Sequence, residues 1–321
     1  MIRMPGKTHA GPLPLLTDEE LIIRETIRQD IRQLAGEIGE RNVQTYANLS
    51  AAADFIQSSF EQTGYQVKRQ SYQVAGKTCD NIEVEIAGDR KGNEIVIIGS
   101  HYDSVAGCPG ANDNASGVAA LLALARAFCG RHTARSLRFV AFVNEEPPYF
   151  RTAKMGSLVY ARRCRERHEK IFAMISLETI GYYSQQPGSQ HYPFPVGFFY
   201  PATGNFIAFV SNLPSGWLVR KSVASFRRQV KFPSQGGVWP GIIPGIGWSD
   251  QWAFWRTGYS ALMVTDTAPF RYPYYHTAQD TPDRIEYDHL TRVVVGLQKV
   301  AADLTGLHPN HHDDLDLLKE S

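Results

Sequence analysis

The chain has 321 residues, enough for roughly two typical domains or for one large α/β domain with insertions. With 43% hydrophobic and 20% charged residues its usage is that of an ordinary globular protein, which excludes the disordered, collagen-like and coiled-coil classes. Its 33 Lys and Arg against 32 Asp and Glu leave a net +1, without the electrostatic footprint of a dedicated nucleic-acid binder or a polybasic membrane binder.

Residues 1–16 read as an N-terminal extension. Arg3 and Lys7 have no apolar run behind them, so no signal peptide is predicted. No stretch approaches the ~18 apolar residues of a membrane span, and a cytoplasmic protein is expected. Cys79, Cys108, Cys129 and Cys164 lack CxxC spacing and are read as reduced thiols. Thr17 and Glu20 form a capping box, and Leu21, Ile23, Ile27, Ile31 and Leu34 continue at helical spacing, predicting a helix over 18–35. A second helix is predicted from Ala51 to Gln62, then two antiparallel strands around Val67–Tyr72 and Asn81–Ala87.

The pattern then changes to short continuous apolar runs, Glu94–Gly99, Leu137–Val143 and Ile171–Leu177, alternating with helices at Gly117–Phe128 and Ser157–Arg167. This is the signature of strands buried on both faces of a helix-covered parallel sheet. A Pro/Gly/Tyr-rich stretch at 184–202 and a Gly/Pro cluster at 233–247 interrupt it, so a loop insert is expected at about 182–248. A helix at Asp250–Arg256, a strand at Ala261–Val264 and a helix at Leu290–Leu304 complete a single α/β domain over 17–307. The His/Asp-rich tail 308–321 is expected to fray.

The acids and histidines fall at the ends of these runs. The first leads into His101 and Asp103, the second into Glu145 and Glu146, and the third ends on Glu178. Ligands in open α/β sheets sit outside the carboxyl ends of the strands, so these side chains share one edge. Asp113 in the Gly-rich loop GCPGANDNASG falls on the same edge, and His276 reaches it from a later loop. Asp113, Glu145, Glu146 and Glu178 so close together must take up protons or bind cations. Imidazoles with carboxylates suit Zn²⁺, with Mn²⁺ or Co²⁺ as alternatives, and two divalent ions would balance the charge. His191, His289, His308, His311 and His312 lack this placement and are read as non-ligands.

The ordered motifs His101-Tyr102-Asp103-Ser104, Gly110–Gly117, Asn144-Glu145-Glu146, Tyr275-His276-Thr277 and Asp280–Asp283 resemble those of the di-zinc aminopeptidases of metallopeptidase family 28, which also includes the glutaminyl cyclases. The resemblance implies a three-layer α/β/α sandwich with a mixed, largely parallel twisted sheet. It implies His101 on one zinc with Glu146 beside it, Asp113 bridging, and Glu178 and His276 completing the second site. Glu145 would be the general base, and Asp103 the carboxylate that orients the His101 imidazole. Three departures stand out: Glu178 occupies a position more often Asp, Gln251 follows Ser249-Asp250 where His is common, and Ile246 replaces an oxyanion-steadying Tyr, leaving Tyr182, Tyr183 or Tyr275 as substitutes.

The implied activity is hydrolysis of an N-terminal peptide or aminoacyl bond by a metal-activated water. The alternatives are a glutaminyl cyclase-like transferase using one zinc, and a binding homologue that has lost catalysis. Two aromatic stretches, Tyr182–Tyr200 and Trp239–Trp255, are expected either to wall the substrate pocket or to form a minor core.

Overall fold

The chain is described from a computed structural model covering residues 4–307. Alternate residues of the continuous apolar runs face opposite sides of one sheet. Val96, Ile98, Leu137, Phe139, Ala173 and Ile175 join the larger core, whereas Ile95, Ile97, Val140, Phe142, Ile171 and Met174 join a second one. Burial on both faces is why these strands lack polar alternation. Each such side chain withdrawn from water contributes ~1.5–3 kcal/mol before entropy is counted.

The elements in chain order are α1 (Asp18–Ile31), α2 (Tyr46–Gln62), β1 (Lys68–Val74), β2 (Lys77–Ile86), β3 (Lys91–His101), α3 (Gly117–Phe128), β4 (Arg135–Phe142), α4 (Gly156–Glu166), β5 (Lys170–Glu178), β6 (Ile207–Ser211), α5 (Gly216–Gln229), β7 (Ser234–Val238), α6 (Gln251–Arg256), β8 (Ala261–Thr265) and α7 (Tyr287–Thr305). They build an eight-stranded sheet in the order β1-β2-β4-β3-β5-β8-β6-β7. The central β4, β3, β5 and β8 run parallel. β1 and β2 are antiparallel additions on one side, and β6 on the other is antiparallel to β8 but parallel to β7. The larger core packs α1, α2, α3, α5 and α7 on one face, and α4 with α6 covers the other. The result is the expected mixed α/β/α architecture.

The capping box at Thr17 and Glu20 is present, and α1 runs on into a wider turn at Arg32–Ile38. Helix α2 begins at Tyr46, five residues before the expected start at Ala51. The region expected to be a loop insert at 182–248 is instead partly ordered: it holds β6, α5 and β7, which extend the sheet. Residues 4–14 are strapped across this added unit. Arg227 donates to the carbonyls of Pro5 and Gly6, the Ser234 amide donates to the Thr8 hydroxyl at 2.8 Å, and Arg292 donates to the Pro14 carbonyl. The four cysteines are free thiols, and among the described residues no helix is long and apolar enough to cross a membrane. The tail at 308–321 lies outside the described residues, as do His308, His311 and His312.

Candidate metal centre

The three central strands deliver their terminal residues to one edge. His101 closes β3, Glu178 closes β5, and Glu145 and Glu146 follow β4 after a short turn. The loop from β3 to α3 brings Asp113 over this edge, and the loop after β8 brings His276. Two asparagines flanking Asp113 fasten that loop to the strand ends. Asn114 donates to the Leu177 carbonyl at 2.9 Å and accepts the Thr179 amide at 3.1 Å, while Asn112 donates to Asp266 at 2.9 Å and accepts the Gly181 amide at 2.8 Å. Backbone strain collects here as well: Asn144, Thr179 and His276 all have positive φ, at 60°, 46° and 56°. For a β-branched residue such as Thr179 this is a true outlier, held because its amide and hydroxyl are both bonded.

All five expected ligands converge, in two groups sharing Asp113: His101, Asp113 and Glu178 form one, and Asp113, Glu146 and His276 the other. Within each group the donor atoms lie within 4.8 Å of one another. His101 Nε2 is 3.3 Å from Asp113 Oδ1 and 3.2 Å from Glu178 Oε2. His276 Nε2 is 3.1 Å from Asp113 Oδ2 and 3.4 Å from Glu146 Oε1. This corrects the expected pairing, because His101 goes with Glu178 and His276 with Glu146. The reason is register: Gly99 of β3 lies opposite Ser176 of β5, which brings His101 level with Glu178, whereas Glu146 stands four residues beyond the end of β4. The extra methylene of Glu178 is accommodated by Ser249, whose hydroxyl donates to Oε2 at 2.5 Å.

Four of the facing atoms, His101 Nε2, Asp113 Oδ1, Glu146 Oε1 and His276 Nε2, are buried without a hydrogen-bond partner. Buried polar groups are normally satisfied, so a cluster of orphaned imidazole nitrogens and carboxylate oxygens pointing at one another fits divalent metal ligation. The electrostatics agree. Burial, with Asp113 beside it, raises Glu146 to about 7, and burial raises Glu178. Burial opposes charge on His276, but Asp113 and Glu146 outweigh it and push the imidazole up to about 10. Burial likewise opposes charge on His101, yet Glu178, Asp103 and Asp113 hold it well above its ordinary value. Asp113 is held below the usual carboxylate range by the two imidazoles, against burial.

Glu145 lies beside both groups and belongs to neither, with Oε2 3.9 Å from His101 Nε2. Burial, then Glu178, Glu146 and Asp250, drives its carboxyl well above the ordinary value, against the pull of His101. The Asp103 carboxylate has partners beyond the expected imidazole. The His101 Nδ1 contact at 3.1 Å is with the Asp103 backbone carbonyl, while the carboxylate, 3.5 Å from Nδ1, accepts the amides of Glu145 at 3.1 Å and Glu146 at 3.0 Å. It therefore orients both glutamates as well as the imidazole. Gln251 is buried and donates to the Ile246 carbonyl, outside both ligand groups. His191 and His289 also lie outside them, His289 stacking on Tyr183.

An open cleft of about 770 Å³ adjoins the centre at Glu178 and Tyr275. Its walls come from both aromatic stretches, with Tyr192, Val196 and Tyr200 facing Trp239, Ile246 and Trp248. Residues of both stretches line this cleft, whereas Phe254 joins the second core. Of the three tyrosines considered for the oxyanion, only Tyr275 lines the cleft. The Tyr183 hydroxyl is spent on the Ile180 carbonyl, and the Tyr182 ring packs on Tyr272. Three residues outside the expected set also build the site: Ser249 through its bond to Glu178, and Asn112 and Asn114 through their bonds to the strand ends; short polar side chains inside Gly-rich and Ser-Asp segments carry no sequence mark of such partners.

Residues 81–300 match Peptidase family M28. The chain is 38% identical over 282 residues to the uncharacterized protein YfbL of Escherichia coli, covering 85% of this chain and 86% of that protein. Its fold is similar to BSAP, a zinc aminopeptidase from Bacillus subtilis, with TM-score 0.70 at 17% identity over 92% of this chain and 96% of that one. It is also similar to Macrostomum lignano glutaminyl cyclase, with TM-score 0.68 at 20% identity over 94% and 98%. The match spans the strand ends and loops that carry the two donor groups, and it places this chain in peptidase family M28 as a peptide hydrolase.

Proposed function

We propose that the protein is a dinuclear zinc aminopeptidase that removes N-terminal residues from peptides, with Glu145 as general base. The observation that carries this reading is the pair of buried donor groups sharing Asp113, with a buried glutamate beside them that ligates in neither. His101, Asp113 and Glu178 would hold one ion, and Asp113, Glu146 and His276 the other. Bound zinc supplies Lewis acidity and lowers the pKa of water towards ~7. Glu145, whose environment makes it an unusually strong base for a carboxylate, accepts the proton of the attacking water and returns it to the leaving amine. The Tyr275 hydroxyl is kept protonated by burial and by Asp113 and Glu146 nearby, so it is suited to donate a hydrogen bond to the scissile carbonyl oxygen. Carboxylates around the site favour a free α-ammonium. The apolar cleft favours a large apolar first side chain, since Tyr192, Val196, Trp239 and Ile246 offer it mostly carbon.

The paired donor groups favour hydrolysis over cyclisation by a one-zinc glutaminyl cyclase-like site. The test is cleavage of a panel of aminoacyl amides against their N-acetylated counterparts, with zinc content and chelator reversal measured alongside. Cleavage restricted to free amines, with about two zinc ions per chain, is expected. Strong cleavage of the acetylated set, or cyclisation of N-terminal Gln with one zinc, would overturn the assignment.

A further inference from the structure

The loop that carries Asp113 is gripped from two sides by buried groups of opposite charge that belong to neither donor group. On one side, three successive amides converge on Asp280. Ala111 N–H reaches its backbone carbonyl at 3.1 Å, Asn112 N–H reaches Oδ1 at 2.8 Å, and Asp113 N–H reaches Oδ2 at 3.1 Å. The Tyr272 hydroxyl pins Oδ1 at 2.8 Å. On the other side stands Arg41, whose side chain is wholly buried. Its Nη1 donates to the Pro109 carbonyl at 2.5 Å and also faces those of Leu34 and Gly39, its Nη2 donates to the Gly110 carbonyl at 3.0 Å, and its Nε to the Tyr102 carbonyl at 2.8 Å.

The fit between the two grips is close. Gly110 has φ 65°, and a Cβ there would lie 2.4 Å from the Asp113 carbonyl oxygen and 3.0 Å from Arg41 Nη2. Asp280 also lies four residues beyond His276, with its amide bonded to the Thr277 carbonyl at 3.1 Å. One side chain thus ties the loop of the shared ligand to the loop of a second ligand. Hydrogen bonds to ionised partners are roughly twice as strong as neutral ones, so a buried anion on the amides and a buried cation on the carbonyls hold this backbone far more stiffly than loop bonding alone.

We propose that Asp280 and Arg41 are positioning residues that set the Asp113 carboxylate between the two donor groups by clamping the backbone of its loop. The proposal rests on the reading of Asp113 as a shared zinc ligand. Partners that orient a ligand typically account for ~10–100-fold in metal affinity. In the full-length protein, Asp280→Asn keeps the side-chain volume but turns an NH₂ towards one of the amides it should accept. Zinc affinity, read by competition with a fluorescent chelator, is expected to fall ~10–100-fold. Turnover should fall with KM unchanged, and the gap in Tm between zinc-loaded and zinc-free protein should narrow. Arg41→Lys, which keeps the charge and reaches fewer carbonyls, should weaken zinc in the same direction.

A general structural defect would behave otherwise. Val300→Ala, in the buried face of α7, should lower the zinc-free and zinc-loaded Tm together and leave affinity intact. If Asp280→Asn does not fold, Tyr272→Phe removes only the donor to Oδ1, and a several-fold loss of affinity is expected. Wild-type zinc affinity in a folded Asp280→Asn or Tyr272→Phe variant would overturn the proposal. Wild-type protein that binds no zinc would overturn the metallopeptidase reading itself.

Discussion

Replacing Glu145 by Gln isolates the proton-transfer step from the rest of the centre. The side chain is only 6% exposed, and Gln fills the same volume. The main-chain bond that orients it, from its amide to Asp103 Oδ1 at 3.1 Å, does not involve the side chain and survives. Because Glu145 lies outside both donor groups, the zinc ligands should be undisturbed. What is lost is a proton acceptor and one negative charge, and positioned acid–base groups contribute ~10²–10⁴-fold. That range corresponds to ~2.7–5.4 kcal/mol in the activation free energy. The assay is steady-state hydrolysis of a chromogenic leucyl amide, with kcat and KM separated and zinc counted by elemental analysis on the same sample. A drop in kcat of that size with zinc retained is expected. A Gln variant within tenfold of wild type, or one that has shed its zinc, would refute the assignment of Glu145 as a non-ligand base.

In zinc-free protein, burial raises Glu146 from 4.5 to about 7, so between those values the folded state keeps a proton that the unfolded state has released and stability declines as pH rises. His276, raised from 6.5 to about 10 against the opposing effect of burial, carries stability that is complete below 6.5 and is lost as pH rises towards 10. Zinc binding improves as the ligands deprotonate, so the Tm gap between zinc-loaded and zinc-free protein should widen from pH 5 to pH 8 in a thermal-shift series, and a shrinking gap would contradict the ligand set. Ala208 lines the cleft, and Ala208→Phe should fill it; kcat/KM for leucyl and phenylalanyl substrates should fall at least ~10-fold while alanyl substrates are largely spared. A uniform loss would show that the first side chain binds elsewhere. A Cβ at Gly296 would come within 2.2 Å of the Phe226 ring between α5 and α7, so Gly296→Ala should cost ~1–3 kcal/mol in urea unfolding despite the better helix propensity of Ala; a gain in stability would be inconsistent with this packing.

Much of this was written in the chain because burial on both faces leaves a plain mark. The runs 94–99, 137–143 and 171–177 are continuous in apolar character, and the polar residues that end them stand out against it. Which ligand goes with which was not legible, since β3 has a neighbour on each side and sequence order does not say which strand end meets His101. β7, Ser234–Val238, has two glycines and one β-branched residue and so a weak strand signal, whereas β6, Ile207–Ser211, is apolar like the central strands but only five residues long and set among Pro/Gly-rich stretches. α5 does show helical spacing, with Leu218, Val219, Val223 and Phe226 on a single buried face, but the Pro/Gly clusters on either side obscure it. Arg41 left no trace at all, because its partners are backbone carbonyls, which every residue possesses.

The N-terminal strap bears on how the molecule behaves among its own copies. β7 is the last strand of the sheet, and an edge strand offers free amides and carbonyls to any extended segment that drifts by. Thr8 occupies the Ser234 amide, and Arg227 braces Pro5 and Gly6 while also donating to the Ser234 carbonyl at 2.7 Å. The opposite edge, β1, is defended by exposed Lys68 and Arg69 instead. One border of the sheet is thus guarded by charge and the other by a piece of the chain folded over it. Trimming that piece would uncover a sticky margin beside the cleft and invite self-association by strand exchange.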